Sequence, residues 1–117
     1  MQKQQEFGKH YLVELTGCDP ARIKFLEPAK EIFLRAVRDS RATYIGDIFH
    51  QFEPYGISGI VLIAESHISF HTWPEAGYVG LDIFTCGTEM DPDIAIAVLK
   101  EGFVAREVQV DIFSRGF

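Results

Sequence analysis

Residues 59 to 64, GIVLIA, are apolar at every position. A strand with one wet face alternates polar and apolar side chains, so an unbroken apolar run fits a strand covered on both faces. It runs straight into AESHISFHTWPE, residues 64 to 75, where glutamate, serine and histidine side chains crowd beside the core. The pattern commits the chain to a sheet that delivers groups able to move protons.

The flanking segments extend that sheet. YLVEL at 11–15 suits a pleated strand, and the TGCDP after it is turn chemistry. Thr43 to Phe52 alternates, with Tyr44, Ile48, His50 and Phe52 on one parity, before the turn EPYG. Residues 59 to 72 read as one strand, ended by the tight connection WPEAG, and YVGLDIFT at 78–85 reads as the next. Between Pro28 and about Arg41, Ile32, Phe33, Ala36 and Val37 recur at helical spacing, with Pro28 in the first turn, where its missing N–H costs nothing. Asp91 caps and Pro92 opens a second helix that Gly102 closes, and Val104 to Phe113 supplies the last strand. The expected order is β-α-β-β-β-α-β. This is an α+β pattern, a largely antiparallel sheet with helices on one face. The other face stays bare unless a partner covers it, which predicts a dimer.

At 117 residues the length fits one domain, spanning 1–117. The composition, 47 % hydrophobic and 24 % charged, excludes a disordered or collagen-like chain. No apolar stretch approaches the roughly 20 residues needed to span a bilayer. The opening MQKQQEFGKH has no apolar stretch after its lysine, so the expected location is cytoplasmic, with no membrane partner. A formal charge of −6 without a basic cluster argues against nucleic acid.

Taken singly, the reactive residues have ordinary explanations. His67 and His71 are four apart, but Ile68 and Phe70 alternate with them in extended chain, so they do not form a helical metal-binding pair. Cys18 and Cys86 are too few for a disulfide framework or a four-cysteine zinc site, and no metal is expected. Ser58, in YGISG, reads as loop punctuation. Phe52 and Trp73 read as core. No Gly-x-Ser-x-Gly elbow is present.

Together, PYGISG, ESHISFHTWPE and GYVGLDIFTCG, in this order and spacing, resemble the prokaryotic S-adenosylmethionine decarboxylases, pyruvoyl enzymes that make the aminopropyl donor for spermidine. The likeness runs from FGKHYLVEL to the second helix and is weakest in the last fifteen residues. It implies a two-layer α/β sandwich and a homodimer. It also implies that Ser66 attacks the carbonyl of Glu65, converting the peptide bond to an ester. Elimination then cuts the chain into 1–65 and 66–117 and leaves Ser66 as a pyruvoyl group. The resemblance assigns His71 and Ser58 to assist this cleavage and Cys86 to return a proton to the substrate α-carbon. Decarboxylation needs an electron sink, which a pyruvoyl carbonyl supplies through a Schiff base with the substrate amine, much as pyridoxal phosphate does. Phe52 and Trp73 match the family's adenine-stacking rings, and Glu75 matches its ribose-binding acid.

Two alternatives remain open at this level. Relatives on the same scaffold decarboxylate arginine or ornithine, whose distal cation Asp47, Glu53 or Glu75 could meet. A non-cleaving dimeric binding or regulatory subunit is the other. One tension also stands: Ser66 and His71 are five apart, so a regular strand sends them to opposite faces. Serving one site requires a bend or bulge between them, or a histidine acting across the dimer.

Overall fold

The computed structural model describes residues 4–87 and 89–117. Among the described residues, six antiparallel strands form one sheet: β1 (Glu6–Thr16), β2 (Tyr44–Gln51), β3 (Ile57–Ile63), β4 (Ser66–Trp73), β5 (Tyr78–Thr85) and β6 (Glu107–Gly116). Their order across the sheet is β2-β3-β4-β5-β1-β6. Helices α1 (Leu26–Asp39) and α2 (Pro92–Gly102) pack on one face, giving the expected α+β sandwich of two layers.

The element order differs from expectation by one strand. Residues 59–72 are not one strand but the hairpin β3–β4, in which Ala64 and Glu65 form a two-residue turn and Ile63 pairs with Ser66. Two-residue hairpins normally announce themselves with Asn-Gly or Gly-X, which supply positive φ inside the turn. Neither residue here is of that kind, and the strain passes to Ser66, whose φ is 154°. The last strand also starts later than expected, because the chain reverses at Val104 (φ 54°) rather than at Gly102. Gly102 serves packing instead: a Cβ there would meet Ile32 Cγ2 at 2.6 Å.

The alternation of each strand decides which face it shows. Val13, Leu15, Val61, Ile68, Phe70, Val79 and Ile83 point to the helices and are buried. Regular helix in α1 begins at Pro28, since Glu27 is extended, and its buried stripe of Ile32, Phe33, Ala36 and Val37 completes the core. Phe33 stacks on Phe70 with ring centroids 3.6 Å apart and meets Phe103 at 5.3 Å. The opposite sheet face carries Leu12, Ile48, Ile60 and Leu62, all exposed, while Val110 and Ile112, paired with Val13 and Tyr11, lie on the helix side of the edge strand β6 and are exposed there. Among the described residues no helix is long and apolar enough to cross a membrane.

Candidate active site

Two anchors shape the end of the sheet where β4 finishes. Gln51 donates from Nε2 to the carbonyls of Lys24 (3.0 Å) and Gly56 (3.1 Å), and its Oε1 accepts from the Leu26 N–H at 2.6 Å. Thr72 Oγ1 donates to the Ile23 carbonyl at 2.8 Å and accepts from the Ile57 N–H at 2.9 Å. These bonds hold the loop between β2 and β3 beside the end of β4. The cleft they frame, of about 270 Å³, is lined by Phe52, Ser58, His71, Trp73 and Glu75 among others. Five residues singled out in the sequence therefore share one surface.

Ser58 and His71 are directly opposite in the β3–β4 register, and Ser58 Oγ lies 2.5 Å from His71 Nδ1. Phe52 and Trp73 are 47 % and 43 % exposed, so neither is the core filling their residue type suggests. Trp73 stacks on Tyr78 with centroids 5.1 Å apart and planes 25° from parallel. The Tyr78 hydroxyl in turn donates to the Glu14 carboxylate. That bond, with burial and the carboxylate's charge, pushes the phenol up to about 12.

A second group of residues sits at the opposite end of β4. The Glu65 carbonyl oxygen accepts from the Cys86 backbone N–H at 3.0 Å and from Cys86 Sγ at 3.1 Å. Ser66 Oγ is 3.8 Å from the same sulfur. Two donors converging on one carbonyl form the kind of cradle that stabilises an oxyanion when a nucleophile adds to its carbon. The nearest hydroxyl along the chain is that of Ser66, on the residue bearing the positive φ.

The register of β4 with β3 and β5 is unbroken from Ser66 to Trp73, so no bulge joins the two groups. Five residues of strand separate Ser66 from His71 by about 17 Å. One copy of the chain therefore does not bring them together, and the bend expected near the Glu65–Ser66 bond lies in the Ala64–Glu65 turn instead.

Sequence reasoning missed two further features. Thr43 donates to both carboxylate oxygens of Glu65, from its N–H at 3.0 Å and from Oγ1 at 3.3 Å. On the open face, Asp82 Oδ2 meets His10 Nε2 at 2.6 Å and His67 Nε2 at 3.3 Å, while Ser69 donates to Oδ1. The one signal in the sequence was a charge inside the apolar stretch YVGLDIFT. Burial alone would raise the pKa of Asp82, but the bonds from Ser69, His10 and His67, with the charge of His67, outweigh it and hold the carboxyl below its ordinary value. A metal ion at this trio would face the Arg115 guanidinium, 3.2 Å from His10 Nδ1.

Fold and site define an α+β enzyme whose candidate catalytic groups stand at the two ends of one central strand. The family model for S-adenosylmethionine decarboxylase matches residues 9–116, and the chain belongs to that family. It is 45 % identical over 109 residues to the S-adenosylmethionine decarboxylase proenzyme of Pyrococcus abyssi, covering 93 % of this chain and 78 % of that protein. The proenzymes of Thermodesulfovibrio yellowstonii (44 %, 93 % and 81 %) and Pelotomaculum thermopropionicum (39 %, 96 % and 89 %) are similar to it as well. The crystal structure of the adenosylmethionine decarboxylase from Aquifex aeolicus superposes with a TM-score of 0.88 at 34 % identity, over 97 % of this chain and 93 % of that one. All four carry the S-adenosylmethionine activity in their names, which counts against the arginine or ornithine alternative.

Proposed function

We propose that the chain cuts itself between Glu65 and Ser66 and that the product decarboxylates S-adenosylmethionine. The observation that carries the reading is the Glu65 carbonyl held by two donors from Cys86, next to a serine in a strained backbone conformation. A non-glycine residue at positive φ stores on the order of 1–3 kcal/mol, which peptide cleavage releases.

The steps balance without an outside reagent other than water. Ser66 Oγ adds to the Glu65 carbonyl carbon, the C–N bond breaks, and the hydroxyl proton passes to the Ser66 nitrogen. Loss of the Ser66 α-proton and rupture of the Cβ–O bond then free the Glu65 carboxylate and leave dehydroalanine. Water adds, ammonia leaves, and a pyruvoyl group caps residues 66–117. The residues fit this group: its carbonyls form where Ser66 stands, beside the Cys86 thiol. When formed, the group supplies the electron sink that decarboxylation requires. Cys86 is the proton donor toward the substrate α-carbon, and Phe52, Trp73 and Glu75 bind the nucleoside end of the substrate.

His71 and Ser58 act across a dimer in this reading. The long separation along β4 and the bare sheet face point the same way: a second copy, laid face to face and reversed, brings one copy's Ser58–His71 pair to the other's Ser66–Cys86 end. The cytoplasmic location belongs to the same proposal.

Intact mass tests the cleavage. Two chains are expected, 1–65 and a pyruvoyl-capped 66–117, and Ser66→Ala yields one. Cys86→Ala still cleaves, with the backbone N–H in place, but loses turnover. Release of labelled CO₂ from S-adenosylmethionine, and not from arginine or ornithine, tests the substrate. Mixed dimers test the shared site: Ser66→Ala and His71→Ala each fail alone, and when co-expressed the His71→Ala chain is cut.

A further inference from the structure

The turn that holds the scissile bond is clamped from a segment to which nothing above gives a catalytic part. Thr43 lies between α1 and β2, 22 residues before Glu65, and three hydrogen bonds join it to the turn. The Ala64 N–H donates to the Thr43 carbonyl at 2.8 Å, the Thr43 N–H donates to Glu65 Oε1 at 3.0 Å, and Thr43 Oγ1 donates to Oε2 at 3.3 Å. On the other side, the Cys86 N–H holds the Glu65 carbonyl, and Gly87 lets the chain pass so close that a Cβ there would meet Glu65 Cγ at 3.0 Å.

Glu65 is 8 % exposed, and among the described residues no cation pairs with it. A buried carboxylate is costly unless hydrogen-bonded, and here each oxygen receives one donor, both from Thr43. Such a carboxylate is a poor choice for filling a turn. It is a good choice for fixing the rotation of one residue, because its two oxygens and its carbonyl are tied to different parts of the sheet. With side chain and carbonyl both held, the peptide plane between Glu65 and Ser66 has little freedom to turn, and the positive φ at Ser66 cannot relax.

We infer that the Glu65 side chain, anchored by Thr43, is a positioning group for cleavage of its own carbonyl: it keeps the peptide plane turned so that the Ser66 hydroxyl can add. This rests on the self-cleavage reading above. Thr43 touches none of the reacting atoms and acts through Glu65.

The test follows the fraction of chain cut against time, by intact mass, in freshly made full-length protein. Glu65→Ala should slow cleavage at least tenfold and Thr43→Val several-fold, whereas Thr43→Ser, which keeps the hydroxyl donor, should cut at the wild-type rate. Melting temperatures of the same substitutions placed in uncleavable Ser66→Ala protein separate positioning from folding. A merely structural role would show lowered melting in step with every loss of rate, and would overturn the inference. So would a wild-type chain that cleaves together with Glu65→Ala and Thr43→Val chains that cleave as fast. A wild-type chain that never cleaves removes the self-cleavage reading itself, a different failure from the other two.

Discussion

Two thiols in one chain differ only in what surrounds them. Cys18 is 4 % exposed, and burial pushes its thiol from 9.0 up to about 11, so it stays protonated and shielded. Cys86 is exposed, its sulfur beside the Glu65 carbonyl. A thiol-specific reagent should therefore titrate one cysteine in the folded protein near neutral pH, located at 86 by peptide mapping, and two in urea; native labelling at Cys18 would contradict this. Asp82 gives a second residue-scale test. Its folded pKa is lowered, so its contribution to stability is fully present above the ordinary carboxylate value of 3.8 and is lost as pH falls below that toward the lowered value. Urea midpoints of wild type and Asp82→Asn should differ at pH 5 to 7 and converge as the solution is acidified through that range.

The hairpin β3–β4 is the element on which the site depends, because it places Ser66 at one end and the Ser58–His71 pair at the other. Its packing leaves little slack. Gly59 sits where a Cβ would meet Phe70 Cε1 at 2.6 Å and Phe49 Cδ1 at 2.7 Å, so the glycine makes room for the ring stacked on Phe33. Gly59→Ala in the Ser66→Ala background should lower unfolding stability by about 1–3 kcal/mol, measured by urea titration. An unchanged midpoint would mean that the rings move aside freely. The hairpin itself was illegible in the sequence. Its turn is Ala-Glu, without the Gly or Asn that marks such turns, and apolar residues run up to it on both parities. The β5 and α1 patterns were legible because each keeps a single period throughout.

At the scale of the molecule, the sheet has one uncovered face, polar along β4 and β5 and apolar at its β2–β3 edge, and its helices on the other. Ile48 is 73 % exposed and Ile60 and Leu62 are 42 % and 50 % exposed on neighbouring strands, one contiguous apolar patch on the open face. Ile48→Lys combined with Ile60→Lys should move the protein toward monomer in sedimentation. Because the proposed site is shared, cleavage should slow in the same preparation. Retained dimer with normal cleavage would place the interface elsewhere.

What the sequence determined by itself was local or periodic: the strand and helix patterns, the bare sheet face, and the residue types gathered in ESH, YGISG and FTCG. The tertiary structure decided everything that needs distance between residues far apart in the chain. It divided the expected site into two ends of one strand, turned Phe52 and Trp73 outward, and brought Thr43 to Glu65 and Cys86 to the same residue's carbonyl. The physical reason is that periodicity fixes the face on which a side chain emerges, whereas its neighbours there are fixed by strand order and register. Those follow from how the whole sheet closes over its core.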